Sequence, residues 1–296
     1  MNIGYVLWDY PVANETWIPL EIEELIMRGH NVKVHRKQYP YVDLRDCDFI
    51  LSHFTGTAIT SCRIGKPFGF VTHDLGIWED DEQSFLDLAN DKDCKIVGYI
   101  SESDKEKYIE WGVDESKLVY WGECIDIDRL KRTRTMGSKI VCGGELTEGR
   151  GLESVLKAVP EVTVFGDGKL APKLKALSDK AEFVGWLSRD ELKDLFERSW
   201  LYIAPSKTEG VSLLILEALC MGLQVITTEK KDLEEYKDRV HFVKPNAIDS
   251  IKRLVATLPH TFELSARNKI AIQRSPKVIV DNLENKILEI LKFSVS

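Results

Sequence analysis

No stretch of this sequence approaches the roughly 18 to 20 consecutive apolar residues that a membrane-spanning helix needs. The opening run from Met1 to Tyr10 has no basic segment ahead of it and is interrupted by Asp9. Neither a spanning segment nor a secretory leader is therefore expected, and the chain reads as cytoplasmic. The six cysteines (Cys47, Cys62, Cys94, Cys124, Cys142 and Cys220) include no C-x-x-C pair. That scatter argues against a zinc cage and for buried thiols. Glutamine is scarce, at Gln38, Gln83, Gln224 and Gln273 only. Such scarcity is a bias of proteins from hot environments, in which an intracellular disulfide stays possible. Positive charge is in deficit: 40 Lys and Arg stand against 48 Asp and Glu, a formal net charge of −8. An acidic chain is a poor bulk binder of nucleic acid, so any phosphate must be held by a local site against the overall field.

What is present is a strand–helix rhythm. The 296 residues, 44% hydrophobic and 30% charged, suffice for two domains of ordinary size and are too apolar for disorder. Residues 3–7, 32–34, 49–51, 68–71 and 95–100 read as short strands, and Ile18, Ile22, Leu25 and Ile26 recur at helical spacing before Gly29. In the second half, 140–142, 162–165, 181–184, 200–204 and 225–228 read as strands. Helical stretches near 152–159, 171–178, 189–197 and 212–221 separate them, and 276–292 reads as a long amphipathic helix. Alternation of this kind predicts an α/β chain with two Rossmann-like, doubly wound parallel-sheet domains facing a cleft. The expected boundaries are 1–134, 135–274 and a C-terminal helix over 275–296 packing back on the N-terminal domain. Between the domains, the basic run 130–139 (LKRTRTMGSK) reads as a solvated linker, with contact to an anionic membrane surface as the alternative.

The segment 205–228, PSKTEGVSLLILEALCMGLQVITT, is the most informative. It holds Glu209 and Glu217, separated by seven residues, and the helix around Glu217 is apolar on nearly every side. A carboxylate buried there needs a partner. A pair of ribose hydroxyls would serve, and so would an ordinary ion pair. Just ahead, Gly210, Val211 and Ser212 place backbone N–H groups at a helix N-terminus, which suits a phosphate. At the strand ends of the first half stand His53, His73 with Asp74, and the aromatics Trp8, Tyr10 and Trp78. Aromatic faces suit sugar rings or a lipid-linked acceptor, and loop packing accounts for them equally. The run GDGKLA over 166–171 fits G-x-G-x-x-A after a strand, with Glu182 downstream, so a dinucleotide-dependent oxidoreductase is an alternative. Asp91 and Asp93 form D-x-D in letters, but in a polar loop that reads as a turn; no metal site is expected.

The segment PSKTEG…LLILEAL…G…VIT resembles the E-x7-E region of retaining glycosyltransferases of the GT-B fold, glycosyl transferases group 1, family 4. Three stretches upstream are similar in the right order: GGELTEGRGLESVLKA, VTVFGDGKL and FVGWLSRDELKDLFERS. In the first half GHNVKV, VTHD, ISESDKEKYIEWGV and ECIDIDRL resemble the family more loosely. The resemblance implies a hexose-type transfer from a nucleotide-diphosphate sugar, with UDP or GDP as the nucleotide. The acceptor would be a glycan, lipid or small molecule, and neither cofactor nor metal takes part. It further implies that Glu217 holds the ribose and Glu209 lies against the donor sugar. The amides of Gly210, Val211, Ser212 and Leu213 hold the diphosphate, and His73 stands near the sugar. Arg150 takes the place of the family's diphosphate-binding Lys, and Asp167, Gly185 and Trp186 lie near the base. Two departures stand out. Glu145 occupies the place of a family Arg: either it points elsewhere, or another cation such as Lys207 substitutes, or donor binding is weak, and the alternative is a binding relative that has lost transfer. The family's N-terminal glycine-rich loop is replaced by WDYPVANET over 8–16.

Overall fold

The computed structural model describes residues 1–10, 16–37, 42–73, 82–132, 137–207, 211–261 and 263–293. The chain divides into two compact units, Met1–Asp126 with Ile272–Ser296, and Ile127–Ala271.

The first unit is built on six strands: β1 (Asn2–Leu7), β2 (Asn31–Arg36), β3 (Phe49–His53), β4 (Phe68–Val71), β5 (Cys94–Tyr99) and β6 (Leu118–Tyr120). They pair in parallel in the order β2-β1-β3-β4-β5-β6, with Ile3 opposite both Val32 and Phe49. Strands β3 and β4 are buried along their whole length, as a parallel sheet covered on both faces requires. The winding direction changes between β1 and β3, so Leu7 and His53 end on either side of a switch point.

Helices α1 (Trp17–Met27), α2 (Thr55–Cys62), α3 (Glu82–Ala89) and α4 (Glu102–Glu110) accompany these strands, and α1 buries Trp17, Ile18, Glu21, Ile22 and Leu25. Ile26, expected on the apolar stripe, is 53% exposed, while Glu21 is fully buried within that stripe. At 100° per residue Glu21 lies between Trp17 and Leu25, and Ile26 lies off the edge. Gly29 ends the helix at φ +85° with its N–H on Ile26 O.

The last helix, α11 (Pro276–Phe293), also belongs to this unit, burying Ile279, Val280, Leu283 and Ile287. Arg28, just past α1, bonds Asp281 and Glu284 at 2.7 Å each, the Lys277 carbonyl at 3.0 Å and Glu24 at 2.8 Å. Arg28→Ala is expected to lower stability by about 2 kcal/mol, since it strands three carboxylates in a partly solvated cluster. Arg28→Lys would restore only part of that, because an ammonium cannot reproduce the fork. Chemical denaturation of the two variants checks both values.

The second unit repeats the architecture with β7 (Lys139–Gly143), β8 (Thr163–Phe165), β9 (Glu182–Gly185), β10 (Ser199–Ala204), β11 (Gln224–Thr228) and β12 (Val240–Val243). All pairs are parallel, in the order β12-β11-β10-β7-β8-β9, so the switch point lies between β7 and β10. Helices α5 (Leu152–Ala158), α6 (Ala171–Leu177), α7 (Arg189–Glu197) and α8 (Leu213–Cys220) connect these strands, and α9 (Ile248–Thr257) and α10 (Ser265–Arg274) follow β12.

The basic run at 130–139 differs from expectation over its described residues. The second unit already includes Ile127, and Leu130 is buried. Arg132 donates to Glu197 O at 2.7 Å and Met221 O at 2.9 Å, the carbonyl ends of α7 and α8. Arg267 holds Leu130 O at 3.0 Å. Arg132 thus serves the negative ends of two helices, Lys131 is exposed, Lys139 pairs with Glu182, and residues 133–136 lie outside the described residues.

All six cysteines are free, five of them buried. Burial pushes the Cys94, Cys142 and Cys220 thiols up to about 12, which leaves them unreactive. Among the described residues no helix is long and apolar enough to cross a membrane.

Candidate active site

In the second unit the carboxyl ends of β7, β8 and β9 are knitted together by backbone. Gly144 N–H bonds Phe165 O at 3.2 Å, Leu146 N–H bonds Asp167 O at 2.8 Å, and Gly166 N–H bonds Gly185 O at 2.7 Å. Gly166, at φ +98°, passes so close that a Cβ would stand 1.8 Å from the Gly144 carbonyl oxygen. Only glycine fits there. The GDGKLA run thus owes its first glycine to the approach of a neighbouring loop.

Beside this rim, at the switch point, lies a recess lined by Gly143, Arg150, Tyr202, Ser206, Ser212 and Lys230, among others. Arg150 closes a single turn over Glu148–Arg150, and Gly151 follows at φ +69°. A Cβ on Gly151 would lie 2.5 Å from Pro205 O, so the turn is pressed against the end of β10. Lys207 N–H bonds Gly149 O at 2.8 Å across the same junction, and the Tyr202 hydroxyl donates to Gly143 O at 3.2 Å. Ser212 is the N-cap of α8, in extended conformation, with no side-chain cap bond. The first amides of a helix have no intrahelical acceptor. Two cations and a helix N-terminus therefore converge on one recess, the chemistry of an anion site.

One turn into α8, Glu217 is 4% exposed and accepts from Arg189 at 2.8 Å. Arg189 opens α7, whose first turn is set by a capping box of Ser188 and Glu191. The ion-pair partner left open by the sequence is present, and it orients the carboxylate.

The other expected residues fall as follows. Arg150 and Ser212 meet in the recess, with Leu213 half-buried behind Ser212 and Val211 half-buried ahead of it. Asp167 is exposed, its carboxylate accepting from Gly168 N–H at 2.8 Å. Gly185 ends β9 at φ +74°, and Trp186 beyond it is 55% exposed. Lys207 and Glu145 are both exposed, and neither is among the residues that line the recess. Glu209, Gly210, Asp74 and Trp78 lie outside the described residues. Sequence reasoning missed Lys230, although it stands two residues past β11, where strand-end rules point, and missed Arg189, which sits inside the quoted FVGWLSRDELKD stretch.

His73, Trp8 and Tyr10 stand in the first unit. Trp8 is 41% exposed. Its ring packs on Gly56 and carries the Lys37 ammonium 4.0 Å from its centre. Tyr10 is half-buried, its carbonyl held by Arg36 at 3.1 Å. The His73 ring is almost wholly buried, between Trp17 and Phe54 with centroids 5.1 Å from each. Its Nε2 is 2.8 Å from His53 Nδ1, and its Nδ1 is 3.3 Å from Glu123 Oε1. His53 Nε2 in turn lies 3.5 Å from Glu21 Oε1. Glu21 accepts from the Tyr5 hydroxyl and, at 2.7 Å, from Trp121 Nε1. Burial pushes the His73 imidazole down, helped by His53 and opposed by Glu123.

Two six-stranded parallel sheets of this topology are the GT-B fold of glycosyltransferases, and residues 137–258 match the family described as glycosyl transferases group 1. Among characterised and uncharacterised relatives, the chain is 24% identical over 252 residues to an uncharacterized glycosyltransferase, MJ1607, of Methanocaldococcus jannaschii, covering 71% of this chain and 64% of that one. It is 25% identical over 127 residues to the phosphatidylinositol N-acetylglucosaminyltransferase gpi3 subunit of Schizosaccharomyces pombe, covering 37% of this chain and 28% of that one. The chain thus spans less than two thirds of the length of these relatives. Among solved structures, Anabaena HepE in complex with UDP superposes with a TM-score of 0.76 at 14% identity, covering 98% of this chain and 100% of that one. Sucrose-phosphate synthase from Thermosynechococcus elongatus superposes with a TM-score of 0.78 at 14% identity over 100% of both chains.

Proposed function

We propose that the protein is a retaining glycosyltransferase that moves a hexose from a nucleotide-diphosphate sugar to an acceptor hydroxyl in the cytoplasm, without a metal. The observation that carries this reading is the convergence of Arg150, Lys230 and the α8 N-terminus on one recess, one turn from the oriented carboxylate of Glu217. In this assignment Glu217 receives the ribose hydroxyls, and the two cations with the α8 amides receive the diphosphate. As the anomeric bond breaks, negative charge grows on the departing diphosphate, and the fixed cations and helix dipole stabilise it. That is the task a metal ion performs in other transferases. Glu145, exposed and outside the recess lining, does not oppose the diphosphate there. Asp167, Gly185 and Trp186, at the adjoining strand ends, form the base side. Uridine is the first candidate base, because HepE has been solved with UDP and with UDP-glucose. The acceptor, a glycan, lipid or small molecule, is assigned to the first unit beside Trp8 and Tyr10.

A thermal-shift screen of UDP-, GDP- and ADP-hexoses tests the reading. A donor at about 100 times its Kd should raise the melting temperature by about 5 °C or more. No shift with any of the three series, together with no binding by calorimetry, would overturn it.

A further inference from the structure

The polar residues that line the recess of the second unit come from three neighbouring strand ends. Arg150 follows β7, Ser206 and Ser212 follow β10, and Lys230 follows β11. In the sheet these strands stand in the order β11-β10-β7, with β8 and β9 beyond β7. Neighbouring strands lie about 4.8 Å apart, so the ends of β11 and β7 are about 10 Å apart with β10 between them. Arg150 and Lys230 therefore reach the recess from opposite sides.

The two sides are not equivalent. Glu217 accepts from Arg189 at 2.8 Å, and Arg189 opens α7, the helix that follows β9. The carboxylate of α8 is thus drawn toward the β9 side, where Asp167 and Trp186 also stand exposed. Lys230 lies at the other end of the same strand order. A nucleotide with its ribose on Glu217 meets Arg150 and the first amides of α8 before it meets Lys230.

We propose that Lys230 binds the distal phosphate of the donor, the one that carries the sugar, while Arg150 and the first amides of α8 bind the proximal phosphate. The proposal rests on the nucleotide-sugar reading of this recess, and it adds the direction in which the ligand lies and the residue at its leaving end. Lys230 is then a catalytic residue. When the anomeric C–O bond breaks, its electron pair stays on an oxygen of the distal phosphate. The oxygen of the incoming hydroxyl bonds the anomeric carbon, and the hydroxyl proton departs with the diphosphate. The Lys230 ammonium meets the new charge where it arises.

The backbone on both sides of Lys230 is fixed. Thr227 and Thr228, both buried at the end of β11, donate to Ala204 O at 2.8 Å and to Ser206 O at 2.5 Å, which ties β11 to β10 up to its last residue. Beyond it, Lys230 O accepts from Leu233 N–H at 3.0 Å and closes the turn that begins at Lys231. Lys230 itself is half-buried, whereas its neighbours Glu229 and Lys231 are exposed and outside the recess lining. Lys207 and Glu145 are outside it as well, so the second cation of the recess comes from β11.

The test is calorimetric titration of the full chain with UMP and UDP, and with GMP and GDP. In the wild type the diphosphate should bind more tightly than the monophosphate of the same base. Lys230→Ala should bind the monophosphate as the wild type does and the diphosphate on the order of 10- to 100-fold more weakly, the effect of losing a charged hydrogen bond. Lys230→Arg should recover most of that loss. Arg150→Ala should weaken both ligands. Equal weakening of monophosphate and diphosphate in Lys230→Ala, or no weakening of either, would overturn the proposal. So would an Arg150→Ala protein that loses only the diphosphate, since the ligand would then lie the other way round. Should Lys230→Ala not fold, Lys230→Met keeps the apolar stem and serves the same comparison. A wild type that binds none of the four nucleotides overturns the nucleotide reading itself, whereas a wild type that binds them and a Lys230 variant that keeps the diphosphate preference overturns only the assignment of Lys230.

Discussion

Glu217→Ala should weaken the binding of a nucleoside diphosphate on the order of 100-fold, a loss of about 3 kcal/mol, while the fold persists. The size follows from burial. Glu217 is 4% exposed, so hydroxyls bonded to it are shielded from competing water, and its removal also leaves Arg189 without the carboxylate it now bonds. Arg189 is 28% exposed, so that second penalty is softened by solvent. Glu217→Gln keeps the shape and loses the charge, and should fall between the wild type and the alanine variant. Isothermal titration with UDP, GDP and ADP reads the effect directly. If the wild type binds and Glu217→Ala binds equally well, the ribose does not sit on this carboxylate.

Gly166→Ala should be among the most damaging small substitutions in the second unit. The new methyl carbon would stand 1.8 Å from a backbone oxygen, at a φ of +98° that an L-residue resists. The nearest atoms all belong to the Gly144 backbone, which cannot turn aside as a flexible side chain can. The loss should exceed about 4 kcal/mol, enough to unfold a unit of ordinary stability. Gly185→Ala is the control. Its φ is +74°, but nothing lies within 4 Å of the added carbon, so the cost should be about 1 kcal/mol of backbone strain. Denaturation monitored by circular dichroism, with limited proteolysis to locate the opened unit, distinguishes the two outcomes. Similar losses in both variants would mean that φ, and not the close approach, sets the penalty.

The parallel strands were legible because burial on both faces leaves a plain apolar run, as in β4 and β10. The strands that escaped, β6 (LVY) and β12 (VHFV), are short and lie at the sheet margins, where little apolar sequence is needed. In the site, Glu217 stood out as one carboxylate in an otherwise apolar helix, and Arg150 followed from the family pattern. Lys230 did not, because it comes to line the same recess as Arg150 only through the pairing of strands. The place of Arg132 within the basic run is hidden for a similar reason: its partners are carbonyl groups at helix ends, which every sequence possesses. The buried line from Glu21 through His53 and His73 to Glu123 draws on four separate stretches of the chain. Its one local signal is Glu21 among Trp17, Ile18, Ile22 and Leu25, a stripe that apolar spacing alone draws through Ile18, Ile22, Leu25 and Ile26.

The return of α11 to the first unit affects how the protein is made. During synthesis the second unit has all of its residues once Ala271 has emerged, and it can fold as soon as they clear the ribosome. The first unit cannot close then, since the surface that α1 offers to Ile279, Val280, Leu283 and Ile287 stays bare until α11 has been translated. The half begun first is finished last. For that interval it shows an apolar groove to the cell, and Arg28 waits without Asp281 and Glu284.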